Sequence, residues 1–128
     1  MLALVVAGCD SLNQDQLLVR VSSESTSPRS IESKIVSLLT SYAEEHEFLD
    51  KTKESRVSGT LVYFQSKDEY FPISLGARVV DDGVVIDLLH FHPGGGETEA
   101  YSTMKNQLLA LLKYQFGASV TSIPYGHA

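Results

Sequence analysis

The chain has 128 residues, of which 43% are hydrophobic and 20% are charged, and its net charge of −6 comes from 16 acidic and 10 basic residues. This length fits one globular domain, and the hydrophobic fraction is too high for a disordered chain. An acidic chain without a Lys/Arg cluster lacks the concentrated positive charge that a nucleic-acid surface needs, so we expect no nucleic-acid partner.

The start of the chain places its single cysteine between apolar and polar sequence. Cys9 ends the run Leu-Ala-Leu-Val-Val-Ala-Gly-Cys and is followed at once by a polar tract that begins Asp10-Ser11. An apolar stretch, two small residues, one cysteine and a polar tail together resemble the lipobox of bacterial lipoproteins. No Lys or Arg precedes Cys9, and eight residues are too few for a charged start and an apolar core of about 7–15 residues, which indicates that Met1 lies inside a longer signal. The alternative is a buried strand over Leu2–Val6 that ends in a turn.

The resemblance implies an anchor and a location. Residues 1–8 are then the remnant of a signal peptide, the Cys9 thiol carries a diacylglyceryl group, and residues 9–16 form a tether to the domain. Acyl chains contribute about 0.8 kcal/mol per buried methylene, so the palmitate-class chains of such an anchor hold a protein at a membrane. We therefore expect a lipid-anchored protein of the bacterial cell envelope that faces the periplasm, with Asp10 favouring the inner membrane.

Residues 17–128 are predicted to form one α+β domain, which begins with an edge strand over 17–21. The first helix is predicted to start at Pro28 after the cap Ser27. Its apolar stripe comprises Ile31, Ile35, Leu38, Leu39, Tyr42 and Leu49. The second helix is predicted to run from its cap Thr98 to Phe116, before Gly117. Its stripe comprises Tyr101, Met104, Leu108, Leu111 and Leu112.

Three strand-like segments lie between the helices. The pair Asp82-Gly83 suits a type I′ turn and sets a register in which Val80 faces Val85 and Arg78 faces Asp87, an opposite-charge pair.

The upstream hairpin is predicted to turn near Lys67-Asp68 and to place Phe64 against Phe71. The apolar side chains of both hairpins share one face, which two amphipathic helices can cover. The fold class that follows is a two-layer α+β sandwich: an antiparallel sheet with a central three-strand meander, two helices on one face and a last strand over 120–123, in the order βαβββαβ.

Two histidines and a glycine run are candidates for binding chemistry. His90 and His92 alternate along a strand, so both rings emerge on one face and could bind zinc, with His127 as a mobile third ligand. The predicted register places them on the core face, where a backbone carbonyl usually satisfies a histidine, so we expect no metal. Residues 93–97, Pro-Gly-Gly-Gly-Glu, suit a flexible crossover or a binding loop better than a phosphate site, because acidic residues follow the glycines.

The remaining motifs give no catalytic site. His46-Glu47 begins like the helix motif of zinc proteases, but Asp50 stands where the second histidine is required, which indicates a solvated acidic helix end. Cys9 has no histidine partner nearby in the sequence, and no Gly-x-Ser-x-Gly motif is present. The sequence therefore predicts a protein that is not an enzyme and has no cofactor.

The function predicted from these features is that of a small membrane-anchored envelope lipoprotein that binds a protein partner, as an interaction or assembly accessory module. The predicted contact surface is the sheet face that the helices leave uncovered, with Leu61, Tyr63, Val80, Val85, Leu89 and Phe91. One alternative is that a second element covers this face. Another is a periplasmic metal- or small-ligand-binding protein that uses His90, His92 and the 93–97 loop.

Overall fold

A computed structural model of the chain describes residues 12–21, 28–94 and 96–123. In chain order, these residues form β1 (Leu12–Arg20), α1 (Pro28–Glu45), β2 (Leu49–Asp50), β3 (Thr60–Gln65), β4 (Ile73–Val80), β5 (Gly83–Phe91), α2 (Glu99–Phe116) and β6 (Val120–Ile123). The strands make one antiparallel sheet in the order β2-β3-β4-β5-β1-β6. The predicted α+β class is confirmed.

The core lies between the two helices and one face of the sheet, because side chains alternate between the two faces along each strand. The helices contribute Ile31, Ile35, Leu39, Tyr42, Ala43, Tyr101, Met104, Leu108 and Leu112. The sheet contributes Leu17, Val19, Val62, Phe64, Ile73, Leu75, Ala77, Val84, Ile86, Leu88 and Val120. One continuous apolar layer therefore joins both helices to five of the strands.

Helix α1 begins at Pro28 as predicted but ends earlier than its apolar pattern suggested. Glu47 has a φ of 59°, and the Phe48 amide donates to the Ala43 carbonyl at 2.8 Å, a geometry that ends a helix. Leu49, which the pattern placed in the helical stripe, instead starts β2 and is 43% exposed. That part of the prediction is wrong because apolar spacing alone does not show where the backbone reverses.

Helix α2 has the predicted bounds and caps. The Thr98 hydroxyl oxygen accepts from the Tyr101 amide at 3.2 Å, and Gly117 ends the helix with a φ of 60°. Leu111 is exposed rather than part of the buried stripe, because the buried positions fall on a narrower face that excludes it.

Strand β1 is longer and more central than predicted. It begins at Leu12, so residues 12–16, predicted as a tether, belong to the sheet. It pairs with β5 along its whole length, from Leu12 opposite Phe91 to Arg20 opposite Gly83, and its other side pairs with β6. The alternation of apolar residues did not predict the first half of β1, because these residues are polar. In the structure they contact polar partners instead of the apolar core.

The β4–β5 hairpin turns at Asp81-Asp82, one residue before the predicted position, and pairs Val80 with Gly83. Neither aspartate has a positive φ, so the turn is not type I′. The register differs from the prediction by two residues, an even number, so every side chain keeps its predicted face.

The β3–β4 hairpin also differs from its predicted register, since Phe64 lies opposite Leu75 rather than Phe71. Its loop is longer because the Asp68 carboxylate accepts from the amides of Tyr70 and Phe71, at 2.9 and 3.0 Å, and these bonds hold the pKa of Asp68 below its usual value.

Gly83 lies where β1 approaches β5 too closely for a side chain. A Cβ at this position would stand 2.0 Å from the carbonyl oxygen of Val19. We expect Gly83→Ala to lower the free energy of unfolding by about 1–3 kcal/mol or more, measured by urea titration. The control Asp82→Ala, in the exposed turn, should change it by less than about 0.5 kcal/mol. Equal effects of the two substitutions would contradict the proposed β1–β5 contact.

Glu47 adopts a left-handed backbone conformation that costs a residue with a side chain about 1 kcal/mol. Glu47→Gly should therefore raise the free energy of unfolding by about 0.5–1 kcal/mol, despite losing an exposed ion pair with Lys67 that contributes little. Lys34→Gly, at an exposed position inside the helix, should lower it by a similar amount. A loss of stability in both variants would show that Glu47 does not end the helix in this way.

Candidate functional site

The sheet face opposite the helices, here called the open face, carries a groove of about 450 Å³. The groove crosses strands β1, β5, β4 and β3, and residues 54–57 form one wall. Its floor and sides include Gln14, Gln16, Tyr63, Ser74, Gly76, Arg78, Asp87 and Leu89. The lining is therefore mixed, with several polar groups that converge on one region of the sheet, as in ligand sites generally.

A three-residue polar cluster forms part of the groove floor. Gln16 lies directly opposite Asp87, and its Nε2 donates to Asp87 Oδ1 at 2.7 Å. Arg78 Nε donates to Asp87 Oδ2 at 2.8 Å. The Arg78–Asp87 pair was predicted from the sequence, but it forms diagonally, since Gly76 rather than Arg78 lies opposite Asp87. Both oxygens of the carboxylate are thus engaged.

Gln16 is 3% exposed, and its Oε1 is a buried acceptor with no hydrogen-bond partner among the described residues. Most buried polar atoms in native proteins have a partner, so an unsatisfied acceptor requires an explanation. Gln16 was missed at the sequence level because it ends a polar tract read as tether. The available signal was the strand Leu17–Arg20, which continues from it without a turn residue.

A second set of hydrogen-bonded polar side chains lies on β3 and β4, and two of them, Tyr63 and Ser74, line the groove. Gln65 Nε2 donates to Tyr63 Oη at 2.9 Å, and the Tyr63 hydroxyl donates to Ser74 Oγ at 3.3 Å. Gly76 pairs with Tyr63 on one side and with Asp87 on the other, and a Cβ at Gly76 would lie 3.4 Å from Cδ1 of the Tyr63 ring. The Tyr63 ring therefore packs against the backbone of Gly76 in the floor of the groove.

An apolar rim, defined as Leu12, Phe71 and Phe91, lies at the end of the sheet where β5 ends. Leu12 faces Phe91 across the β1–β5 pair, and the rings of Phe71 and Phe91 stack with their centroids 6.1 Å apart. All three side chains are exposed, Phe91 by 49%. Exposed apolar side chains grouped beside a groove are typical of contact surfaces.

Five of the six predicted contact residues lie on the open face, and they differ in how exposed they are. Tyr63 and Leu89 line the groove, Val80 lies half-buried on the same face near the β4–β5 turn, and Phe91 belongs to the rim. Val85 is on this face but fully buried, because it lies on the central strand between Leu18 and Arg78.

Leu61 is the one predicted contact residue that lies on the other side of the sheet. The register shifts between Thr60 and Val62, and this bulge turns Leu61 toward the helices, where it packs against the core. Its assignment to the open face was therefore wrong, because strict alternation fails at a bulge.

His90 lies on the helix side, as predicted, and connects three elements. Its Nε2 is 3.2 Å from the Phe71 carbonyl, and its Nδ1 is 3.3 Å from the hydroxyl of Thr98, the cap of α2. A carbonyl only accepts, so the neutral ring carries its proton on Nε2 and Nδ1 accepts from Thr98. Burial is the main reason that the pKa of His90 lies below its usual value, and the neighbouring His92 ring contributes.

These contacts leave His90 without a free nitrogen for a metal. His92 lies beside it, with ring centroids 5.8 Å apart, and has a buried Nδ1 with no partner among the described residues. Within residues 12–21, 28–94 and 96–123, no three His, Cys, Asp or Glu side chains are grouped as metal ligands. His46 instead stacks on Tyr42 at 4.1 Å, near the end of α1.

Gly96 and Glu97, in the loop that follows the glycine run, are bonded to β1 and to α2. Asn13 Nδ2 donates to the Gly96 carbonyl at 2.8 Å, and Lys105 pairs with Glu97. Asp15 accepts from the Tyr101 hydroxyl at 2.7 Å, and burial first, then this hydrogen bond and the charge of Asp15, raise the pKa of Tyr101. These bonds fix the start of β1 against α2, so the loop is a structural crossover in the part that is described.

No protein-family model matches the chain, and no curated protein or solved structure is significantly similar to it. Of the helices in the described ranges, none has the length and apolar character needed to cross a bilayer. Cys9, residues 1–8 and His127 lie outside the described residues, so the anchor and the third-ligand prediction stay predictions.

The buried His90 should make stability depend on pH. Because its folded pKa lies below the unfolded value of about 6.5, its contribution is complete above that pH and is lost as pH falls through the folded pKa. Asp68, His92 and Tyr101 are the titratable groups around it. The free energy of unfolding should fall between about pH 7.5 and pH 5.5, and His90→Gln should reduce that fall.

The matched control is His46→Gln, which removes an exposed ring that contacts only Tyr42 among aromatic partners in the described residues. It should leave the pH dependence unchanged. If His90→Gln kept the wild-type pH dependence, the assignment to His90 would be wrong.

Proposed function

We propose that this chain is a binding module without catalytic activity, and that it holds a protein partner against the open face of its sheet. The observation that carries the proposal is the position of the exposed apolar rim beside a groove with a polar floor. Protein interfaces combine apolar anchors with a smaller number of oriented polar contacts, and this face offers both within one surface.

The helix side of the sheet supports a different role. Its polar groups, His90, Thr98, Asp15 and Tyr101, contact one another or the backbone and tie the helices to the sheet. They therefore stabilise the fold. The metal- or ligand-binding alternative at His90 and His92 is less well supported, since both nitrogens of His90 contact protein groups.

The proposal includes an envelope location and a lipid anchor on Cys9. Its support is the run Ala7-Gly8-Cys9 followed by a polar residue, which resembles a lipobox. In this proposal β1 begins three residues after the anchor, because Leu12 is already in the sheet. The domain would then be held close to the bilayer, with little freedom to reorient before it meets a partner.

The anchor is tested by intact-mass measurement of the protein expressed from its natural gene in a bacterium. We expect the N-terminus to be Cys9, with a mass increase equal to a diacylglyceryl group, and Cys9→Ser to move the protein from the membrane fraction to the soluble fraction. A chain that keeps residues 1–8 and carries an unmodified thiol would contradict the anchor.

The partner surface is tested by photo-crosslinking in the natural host. A photoreactive phenylalanine analogue at Phe91 or Tyr63, on the open face, should give a discrete adduct with one protein. The same analogue at Tyr114, which is highly exposed on α2, is the matched control and should give none. Adducts at Tyr114 alone, or equal adducts from all three positions, would contradict the proposal.

A further inference from the structure

The loop between β3 and β4 exposes two aromatic side chains, Tyr70 by 80% and Phe71 by 36%. We propose that this tip, defined as Tyr70 and Phe71, inserts between the headgroups of the phospholipid bilayer to which the chain is anchored. The inference rests on the Cys9 anchor of the proposed function. It goes beyond that function because it states which part of the domain faces the lipid.

The tip lies at the end of the sheet where the chain arrives from Cys9. The rings of Phe71 and Phe91 stack with centroids 6.1 Å apart, and Phe91 lies directly opposite Leu12 in the β1–β5 pair. Three residue steps join Cys9 to Leu12, and an extended chain covers at most about 11 Å in three steps. An anchored Cys9 therefore holds this end of the domain against the headgroup layer, which is about 5–8 Å deep.

The backbone of the tip is already bonded within the protein. The Asp68 carboxylate accepts from the amides of Tyr70 and Phe71 at 2.9 and 3.0 Å, and the Phe71 carbonyl accepts from His90 at 3.2 Å. Polar groups that leave water without a partner are costly, and these three groups keep their partners on insertion. The same bonds fix the loop before contact, so that little conformational entropy is lost.

The two side chains suit the boundary between headgroups and acyl chains. Tyrosine combines an apolar ring with a polar hydroxyl and is enriched at membrane interfaces, and phenylalanine adds a wholly apolar ring. In water, both rings expose aromatic surface at a cost in free energy. Insertion removes that surface from water and leaves the Tyr70 hydroxyl among the headgroups.

The charges beside the tip favour apolar insertion over attraction to acidic lipids. Lys67 pairs with Glu47 at 3.7 Å, and Glu69 has no ion pair among the described residues. Anionic lipids attract Lys and Arg side chains, and residues 66–72 contain no other cation than Lys67. The contact should therefore form on zwitterionic lipid and should not be strengthened by anionic lipid.

Contact through the tip leaves the open face accessible. Strand β1 runs away from the anchor, from Leu12 to Arg20, and its 9 residues extend about 30 Å. The sheet then stands on its end, and the groove residues Gln14 and Gln16 lie further from the bilayer than Leu12 does. A partner on the open face would approach along the membrane surface.

Fluorescence quenching by lipid tests the tip on the full-length protein. The chain has no tryptophan, so Tyr70→Trp introduces a single indole at an exposed position. The lipidated protein is placed in phosphatidylcholine vesicles whose acyl chains carry bromine near the headgroups. We expect the bromine to quench this indole and its emission to shift to shorter wavelength. The matched control is Tyr114→Trp on α2, where the side chain is 94% exposed, and it should not be quenched.

A second pair of variants, made in the Tyr70→Trp protein, tests the neighbouring ring. Phe71→Ser should lower the quenched fraction about twofold or more, because part of the inserted apolar area is lost. Leu111→Ser makes a similar change on α2, at a side chain that is 44% exposed, and should leave the quenching unchanged. Should Phe71→Ser fail to fold, the comparison of the two indole positions still decides.

The proposal is overturned if the indole at position 70 stays unquenched on the anchored protein, if the indole at position 114 is quenched equally, or if quenching requires anionic lipid. The anchor and the tip fail separately. A naturally lipidated protein with an unquenched indole at position 70 would keep the anchor and remove the tip contact. If the host leaves Cys9 unmodified, a maleimide lipid coupled to this single thiol supplies the attachment. Quenching would then remove the natural anchor and keep the tip as a lipid-contact surface.

Discussion

The pairing of β1 with β5 is the constraint on which the fold and the site both depend. It runs over nine residues of each strand and places β1 inside the sheet rather than at its edge. The approach at its end is so close that only glycine fits at position 83. The same register sets Leu17 and Val19 toward the helices and sets Gln16 beside Asp87 on the other face.

The two faces of the sheet use polar groups in different ways. On the helix side, His90, Asp15 and Tyr101 have partners that join two elements, as His90 joins the 66–72 loop to the cap of α2, whereas Nδ1 of the neighbouring His92 has no partner among the described residues. On the open face, the cluster of Gln16, Asp87 and Arg78 joins neighbouring strands and still leaves one acceptor free. A free buried acceptor costs about 1–3 kcal/mol, which an apolar residue at position 16 would avoid.

The buried acceptor is a cost that the fold carries, because its oxygen is closed to solvent. The apolar rim at the end of β5 is likewise unfavourable for an isolated protein, because it exposes aromatic surface to water. Both features lie on the face that the helices leave uncovered. For a partner on this face, the rim would provide most of the contact area.

The sequence was sufficient to predict the sandwich, both helices and the face of nearly every strand residue, because alternation and helical spacing depend only on local periodicity. Thr98 and Gly117 marked the ends of α2 by their cap chemistry. Registers were harder to predict. The turn at Asp81-Asp82 and the loop held by Asp68 each moved a pairing by an even number of residues, which no periodic pattern detects.

The site was predicted only in part, for reasons specific to its residues. The uncovered face followed from the amphipathic strands, and the Arg78–Asp87 pair from the charges. The strand that follows Gln16 could have extended the sheet to it, but its role as a partner of Asp87 becomes recognisable only when the β1–β5 register is known. Leu61 was misplaced by a bulge, which is a property of the backbone and leaves no mark in the apolar pattern.

Hydroxyl-radical footprinting, performed on the purified protein and on living cells of the natural host, tests the central claim most directly. If the open face holds a partner, Phe91, Leu12 and Tyr63 should react in the purified protein and be protected in cells. Tyr114 and Leu111, exposed on α2, should react equally in both. Full reactivity of the open-face residues in cells, or protection of the α2 residues instead, would contradict the account.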